Sequence, residues 1–202
     1  MLPSLMVIDD FLDNPLAARE QALKLGYPTG TQRGNYAGTT SERPLKISQV
    51  SESVSKRVNY RLKGADGTLH MHTRLTLRGD KGRTGVHIDP CYYSGILYLS
   101  LPEHCKGGTD FYEHRKTKLD RVPNRPADLM AAGYPSVNAF VEGVVNKDTF
   151  RAERWTRAMR IPARFNRLIL FSPWMFHNAG PGFGTSLQDG RLVCLLFLSA
   201  AD

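Results

Sequence analysis

The chain has 202 residues, of which 41% are hydrophobic and 23% are charged, and these proportions are ordinary for a soluble globular protein with a substantial core. No stretch approaches the roughly 20 apolar residues of a membrane-spanning helix, and the N-terminus lacks the basic start and cleavage site of a secretory signal. Three scattered cysteines, Cys91, Cys105 and Cys194, argue against a disulfide framework and favour a reducing, cytoplasmic setting.

The formal net charge is +8, and much of it comes from two basic segments, 113–125 and 151–167. Basic segments can attract nucleic acid or acidic small molecules. Neither segment carries evenly interleaved aromatic residues or a base-reading motif. We therefore interpret both as solvated surface and keep nucleic acid as the less favoured partner.

The N-terminal part predicts a short strand within "SLMVIDDFL" (4–12), followed by a helix that begins at Pro15. Asp13 or Asn14 would cap this helix, which continues through "LAAREQALKLGY". The stretch 27–44 is rich in Gly, Thr and Ser and is aperiodic, so it predicts a functional loop.

Apolar residues recur at helical spacing in 46–62 and predict an amphipathic helix. From residue 68 the chain changes to short apolar runs separated by Gly and Pro, which are typical of strands. The strand predictions are 68–79, 94–101, 108–114, 164–173 and 191–200, and a short helix capped by Asn146 is predicted at 145–155. Helices packed on a β-sandwich or barrel follow from this order, as a single domain over 1–202 with N-terminal supporting elements (1–63) and a β core (64–202).

One pattern of residues indicates a candidate metal site. His87 and Asp89 would share one face of an extended chain, because side chains alternate along a strand. Two histidines and one carboxylate on one face form the non-haem iron arrangement, so a third ligand is required. His177 follows an apolar strand in "LILFSPWMFHNAGP" and is the only histidine after residue 114 of the sequence. Arg191 opens the otherwise apolar run "RLVCLLFLSA", where a buried cation needs an anionic partner such as a dicarboxylate.

These motifs resemble the core of the 2-oxoglutarate- and Fe(II)-dependent dioxygenases of the prolyl 4-hydroxylase type. The family pattern is an HxD, a strand reading approximately LYLS, and a Gly-Gly-Thr-x-Phe turn. Here these are His87–Asp89, Leu97–Ser100 and Gly107–Phe111. The distal "HNAGPGFGTSLQDGRLVCLLF" resembles the family's distal histidine and basic strand, and the combination is closest to a little-characterised bacterial branch.

The resemblance implies a mainly β fold with packed helices, built on a double-stranded β-helix (jelly-roll, cupin-like) core. It implies that His87, Asp89 and His177 bind Fe(II), that Arg191 binds the 2-oxoglutarate C5 carboxylate, and that Tyr98 donates a hydrogen bond to this co-substrate. The reaction would consume O2, convert 2-oxoglutarate to succinate and CO2, and hydroxylate an amino-acid-like or peptidyl substrate, with ascorbate supporting activity. The arginine lies fourteen residues after the distal histidine, whereas collagen-type prolyl hydroxylases have a lysine about ten residues after it, so a prolyl substrate is not implied.

Two alternatives remain at this stage: a nucleic-acid oxidative demethylase on the same scaffold, and a non-catalytic β-helix binding protein. His70 and His72 alternate on one predicted strand and are rival ligands, although polar positions on a half-exposed strand fit them better. Arg74 could bind an acidic substrate group, but we expect it at a surface position. Stretch 27–44 and basic segment 113–125 would shape the route of the substrate. The sequence leaves the oligomeric state open.

Overall fold

The structure is a computed structural model that describes residues 3–28 and 36–201. Within these residues, ten strands and four α-helices form. In chain order they are β1 (Leu5–Ile8), α1 (Pro15–Leu23), β2 (Thr39–Pro44), α2 (Val50–Val58), β3 (Leu62–Gly64), β4 (His72–Thr76), β5 (Tyr93–Tyr98), β6 (Gly108–His114), α3 (Pro126–Ala131), α4 (Val137–Phe140), β7 (Trp155–Pro162), β8 (Leu168–Phe171), β9 (His177–Asn178) and β10 (Arg191–Ala200). A π-helical segment, Val141–Asn146, continues α4, and 3₁₀ turns lie at Pro102–His104 and Ala152–Arg154.

The strands form two antiparallel sheets. The major sheet has the order β1-β8-β5-β10-β4-β2, with β3 paired to the far end of β10, and the minor sheet has the order β7-β6-β9. Helices accompany both sheets, as the hydrophobic clusters show. The predicted mainly β fold with packed helices is therefore confirmed.

Strand β10 of the major sheet is buried on both of its faces. Leu192, Cys194 and Leu196 belong to one buried cluster with residues of α1 and α2. Val193 and Leu195 face the opposite way and belong to the cluster between the two sheets. A strand buried on both faces reads as a continuous apolar run, which is the pattern of "RLVCLLFLSA".

The first two helices form where the sequence predicts them, with shorter bounds. The Asn14 side chain accepts a hydrogen bond from the Ala17 N–H at 3.2 Å, and Pro15 occupies the first turn of α1. In α2, Val50, Val54 and Val58 are buried in one stripe.

Two local predictions are wrong. Helix 145–155 does not form as predicted: the helical residues that begin in α4 end at 148, Asn146 lies inside this segment instead of capping a helix, and Trp155 begins strand β7. The loop 27–44 includes strand β2, and its residues 29–35 lie outside the described part of the chain. Strand β2 forms because β4 offers it a pairing edge, which "TTSERP" itself does not reveal.

A second apolar cluster covers the minor sheet and supports β9. Phe176, beside His177, is fully buried against Phe140 and Trp155. The buried His114 Nε2 lies 3.1 Å from Asp148 Oδ2, which joins the end of β6 to the helical segment. In residues 3–28 and 36–201, every helix is too short or too polar to cross a bilayer.

Candidate metal centre and its cavity

His87 and His177 are neighbours across an isolated antiparallel bridge between the two halves of the chain. The His87 N–H donates to the His177 carbonyl at 3.0 Å, and the His177 N–H donates to the His87 carbonyl at 3.0 Å. Strand β9 is itself paired to β6, with His177 opposite Phe111. Main-chain pairing therefore fixes the relative positions of the two imidazoles.

Both imidazoles are oriented by their Nδ1 atoms. His87 Nδ1 lies 2.9 Å from the Gly85 carbonyl, and His177 Nδ1 lies 2.8 Å from the Met175 carbonyl. A carbonyl only accepts, so each Nδ1 carries the proton and each Nε2 presents a lone pair. This backbone support is the usual way in which a protein fixes the tautomer of a histidine ligand.

Asp89 completes the group. Its Oδ2 lies 3.3 Å from His177 Nε2, its Oδ1 lies 3.9 Å from His87 Nε2, and Oδ2 accepts a hydrogen bond from the Ser94 hydroxyl at 2.6 Å. One ligand atom from each of His87, Asp89 and His177 lies within 4.8 Å of the others. These three donor atoms facing one point suit a divalent cation of intermediate hardness.

The electrostatics favour the ligating forms of two of these residues. Burial, with a smaller contribution from His177, lowers the pKa of His87 to about 4, so its imidazole is neutral near pH 7. Burial opposes ionisation of Asp89, but the electrostatic attraction of the neighbouring His177 and His87 side chains and the hydrogen bond from Ser94 outweigh it and lower the pKa of Asp89 to about 2. A neutral imidazole and an ionised carboxylate are the forms that bind metals.

The backbone conformation and close packing of the Gly-Gly-Thr turn explain why its first two residues are glycines. Gly107 adopts φ +64°, a left-handed conformation that favours glycine. Gly108 packs so closely on the Ile161 carbonyl of β7 that a Cβ would overlap it. The two glycines therefore bring β6 against β7 and place the buried Thr109 at the cavity wall.

A cavity of about 100 Å³ opens beside these three side chains. Apolar side chains of β5 and β10 line much of its wall, with polar groups at a few positions. The lining residues are Tyr36, Ala37, Leu69, Arg74, Thr76, Thr84, His87, Asp89, Ile96, Thr109, His177, Asn178, Ala179, Gly180, Arg191, Val193, Leu195 and Phe197. Such a mixture of apolar walls and convergent polar groups is typical of small-molecule sites.

Arg191 lies in this wall with only 2% of its surface exposed. Its Nε and Nη2 atoms are buried and have no hydrogen-bond partner within residues 3–28 and 36–201. A buried guanidinium with unpaired N–H groups is costly unless an anion supplies the acceptors. The residue therefore fits a carboxylate-binding role in the cavity.

Tyr98 lies behind Arg191 rather than in the described cavity lining. The Arg191 guanidinium sits 5.7 Å from the centre of the Tyr98 ring, and the Tyr98 hydroxyl lies 2.7 Å from Thr109 Oγ1. Burial raises the pKa of Tyr98, so the hydroxyl stays protonated at neutral pH. Its role towards a co-substrate stays a prediction, and Thr109 is a further hydroxyl that sequence reasoning did not select.

Arg74 is the largest departure from the predicted site. It is 9% exposed and lines the cavity, whereas the sequence interpretation placed it at the surface. Arg78, four residues further along the chain, is exposed. The polar alternation His72, Arg74, Thr76 suggests a solvent-facing strand. In the structure, Arg74 and Thr76 instead form part of the polar wall of the cavity.

The remaining predictions about the site concern the rival histidines, stretch 27–44 and segment 113–125. Neither rival histidine joins the ligand group: His70 Nδ1 accepts from the Phe197 N–H at 3.2 Å, and His72 Nδ1 lies 2.8 Å from the Ser41 carbonyl. Stretch 27–44 contributes Tyr36 and Ala37 to the cavity wall. Segment 113–125 contributes none of the described lining residues, contrary to expectation, because Leu119 and Val122 pack into the cluster on the far side of the minor sheet.

Solved structures share this fold. HygX from Streptomyces hygroscopicus, with nickel, 2-oxoglutarate and hygromycin B bound, gives a TM-score of 0.50 at 13% identity, over 98% of this chain and 83% of HygX. SnoK, a non-heme alpha ketoglutarate dependent carbocyclase from nogalamycin biosynthesis, gives 0.50 at 15% identity, over 98% of this chain and 80% of SnoK. A prolyl-4-hydroxylase from Pseudomonas putida gives 0.48 at 11% identity, over 98% and 94% of the two chains.

At these identities the likeness concerns the fold. The predicted double-stranded β-helix, and with it the resemblance to the 2-oxoglutarate oxygenases, is confirmed at that level. No curated protein matches the sequence. The model of a family described as "Family of unknown function (DUF6445)" matches residues 3–198.

Proposed function

Since the chain belongs to DUF6445, a family of unknown function, we propose its activity from its own site. We propose an Fe(II)- and 2-oxoglutarate-dependent dioxygenase that hydroxylates a small amino-acid-like or peptidyl substrate. The observation that carries the proposal is one cavity that contains both the His87, Asp89 and His177 group and Arg191, whose Nε and Nη2 have no hydrogen-bond partner among the described residues.

Each of these residues has a defined task. His87, Asp89 and His177 would hold Fe(II) on one face and leave its other positions to the cavity. Arg191 would pair with the C5 carboxylate of 2-oxoglutarate, and its planar N–H groups suit that bidentate contact. Thr109, hydrogen-bonded to Tyr98, offers a hydroxyl to the same region of the wall. Bound iron would supply the activation of O2 that couples oxidation of 2-oxoglutarate to succinate and CO2 with hydroxylation of the substrate.

The wall supports this chemistry by limiting water. Ile96, Val193 and Leu195 cover the side of the cavity formed by the major sheet. A low-dielectric wall strengthens the pairing of Arg191 with a carboxylate and protects reactive species from solvent.

Succinate formation tests the proposal. Purified protein with Fe(II), ascorbate, O2 and 2-oxoglutarate should produce succinate even without the true substrate, through slow uncoupled turnover. His177→Ala should produce none, because one of three iron ligands is lost. His104→Ala is the matched control, since His104 lies outside the ligand group and outside the described cavity lining. Equal succinate formation by wild type and His177→Ala, or none by either, would contradict the proposal.

A further inference from the structure

Arg74 is a second buried cation in the cavity, and the tasks proposed above do not use it. It lies on β4 opposite Val193 of β10, while Arg191 pairs with Thr76 two residues along the same ladder. Cross-strand partners point to the same side of a sheet, so the two arginines share the cavity face. Two guanidiniums on one small wall repel each other, and the charge of Arg191 contributes to a lowered pKa of Arg74 after the larger effect of burial.

Among the residues that the structure describes, hydrogen bonds engage one of the three nitrogen atoms of the Arg74 guanidinium. Nη1 donates to the Tyr36 carbonyl at 3.2 Å and to the Ala37 carbonyl at 3.3 Å. A guanidinium has five N–H groups, and within residues 3–28 and 36–201 those of Nη2 and Nε make no hydrogen bond to the protein. Within the described part of the chain, no carboxylate forms an ion pair with it.

A purely structural role explains the residue less well. Arg19 is a buried arginine with a structural role and serves as the comparison, since it is 5% exposed and lies outside the described cavity lining. Its Nη1 donates a hydrogen bond to the Leu99 carbonyl, and its Nη2 donates one to the Gln188 carbonyl. In the described part of the chain, Arg74 donates hydrogen bonds to carbonyl groups from Nη1 alone, and it lies in the cavity wall. Carbonyl acceptors also leave the net charge uncompensated, and a buried charge requires a counter-ion.

The charges of the proposed active site do not supply that counter-ion. Asp89 is the single carboxylate among the described lining residues. Fe(II), Asp89, the two carboxylates of 2-oxoglutarate and Arg191 together carry no net charge. The positive charge of Arg74 is therefore left over when metal and co-substrate are bound.

The position of Arg74 is close enough to the metal ligands to orient a substrate. Its guanidinium lies 5.4 Å from the centre of the Tyr36 ring, and that ring lies 4.7 Å from the His87 ring. The Tyr36 ring would then lie between an anion bound to Arg74 and His87, a proposed iron ligand. That spacing suits a small molecule that places one end on Arg74 and its reacting carbon near the metal.

We propose that Arg74 binds a free carboxylate of the substrate, so that the substrate is a small organic acid such as a free amino acid rather than an internal residue of a peptide. This inference rests on the proposed function for the identity of the site. Arg74 is a specificity-determining residue in this account, and Tyr36 helps to hold its guanidinium.

Binding measurements test this assignment without turnover. The protein is loaded with Mn(II) and 2-oxoglutarate and titrated calorimetrically with the twenty L-amino acids and with their carboxamides. At least one free acid should bind, and its amide should bind at least tenfold more weakly, because the amide cannot pair with the buried cation. Arg74→Gln should lower the affinity for that acid at least tenfold and abolish the preference over the amide, and Arg74→Lys should restore part of it. Arg78→Gln, an exposed arginine that follows the same strand, should change neither.

Three results would overturn the assignment. They are equal binding of acid and amide, no binding by any acid of the panel to protein that binds 2-oxoglutarate, and a loss of 2-oxoglutarate affinity in Arg74→Gln as large as that in Arg191→Gln. The comparison of acid with amide uses wild-type protein, so it decides the matter even if Arg74→Gln folds poorly. Failure of the proposed function has a different signature: the protein then binds no 2-oxoglutarate and forms no succinate.

Discussion

The main chains of His87 and His177 bond to each other in both directions, and their rings lie 4.3 Å apart at 56°. The His177 ring also packs edge-on against Phe171, with centroids 4.7 Å apart. Two of the three proposed ligands are therefore held by one backbone bridge and one aromatic contact. Such support preorganises a metal site before the metal arrives.

Loss of His177 should remove metal binding without unfolding the protein. We expect His177→Ala to weaken Fe(II) affinity by more than ~100-fold, because a ligand contributes more than the groups that merely support one. Thermal unfolding with and without Fe(II) measures this, since a ligand bound only to the native state raises the midpoint. The wild type should shift and the variant should not, while His104→Ala should behave as wild type; a metal shift that survives in His177→Ala would remove this residue from the site.

Ser94 should tune metal affinity through Asp89. Its hydroxyl donates to Asp89 Oδ2 at 2.6 Å, so Ser94→Ala frees the carboxylate to rotate and should weaken Fe(II) affinity about tenfold. Ser100→Ala is the matched control, because Ser100 is equally buried but bonds to the Gly190 carbonyl and the Leu192 N–H. Calorimetric titration with Mn(II) separates the two, and equal affinities in both variants would show that the Ser94 contact does not orient the ligand.

Replacement of Arg191 should raise the free energy of unfolding and lower the affinity for 2-oxoglutarate. Its unpaired buried N–H groups destabilise the ligand-free protein, so Arg191→Met should raise the free energy of unfolding by about 1–3 kcal/mol. The same variant should lose 2-oxoglutarate affinity, because the carboxylate loses its cation. Urea unfolding and calorimetric titration measure the two effects. A destabilised variant that still binds 2-oxoglutarate would mean that Arg191 serves the fold and not the co-substrate.

The Gly-Gly-Thr turn should tolerate no side chain at its second glycine. A Cβ at Gly108 would overlap the Ile161 carbonyl, so Gly108→Ala should destabilise the protein by about 3 kcal/mol and weaken 2-oxoglutarate binding by displacing Thr109. Gly67→Ala is the control at an open turn with φ +69°, where the strain alone should cost about 1 kcal/mol. Urea unfolding distinguishes them, and equal losses in the two variants would contradict the close contact.

Strands with strong apolar patterns were predictable, and those formed by pairing alone were not. Strands β6 and β10 have the predicted bounds, since their sequences are rich in strand-forming residues and end at clear breaks. Strand β7 was missed because its exposed side chains include Arg157 and Arg160, which pair with Asp110 of β6. Its strand conformation comes from β6, a partner distant in sequence.

For the site, the grouping of His87, Asp89 and His177 was predictable because their residue types and order are distinctive. Arg74 was not, because a polar wall of an internal cavity has the same alternation as a solvent-facing strand. Only the tertiary arrangement, in which β4 lies beside β10 over the cavity, separates these two cases. Thr109 was missed for a similar reason, since a hydroxyl in a Gly-rich turn usually serves the turn itself.

The central claim is that metal and 2-oxoglutarate bind in one cavity, and anaerobic titration with both tests it most directly. We predict one Fe(II) per chain, and one 2-oxoglutarate whose tight binding requires the metal. His177→Ala should lose both, and Arg191→Met should keep the metal but lose the co-substrate. Binding of 2-oxoglutarate that is equally tight without metal, or no binding of either by wild-type protein, would contradict the account.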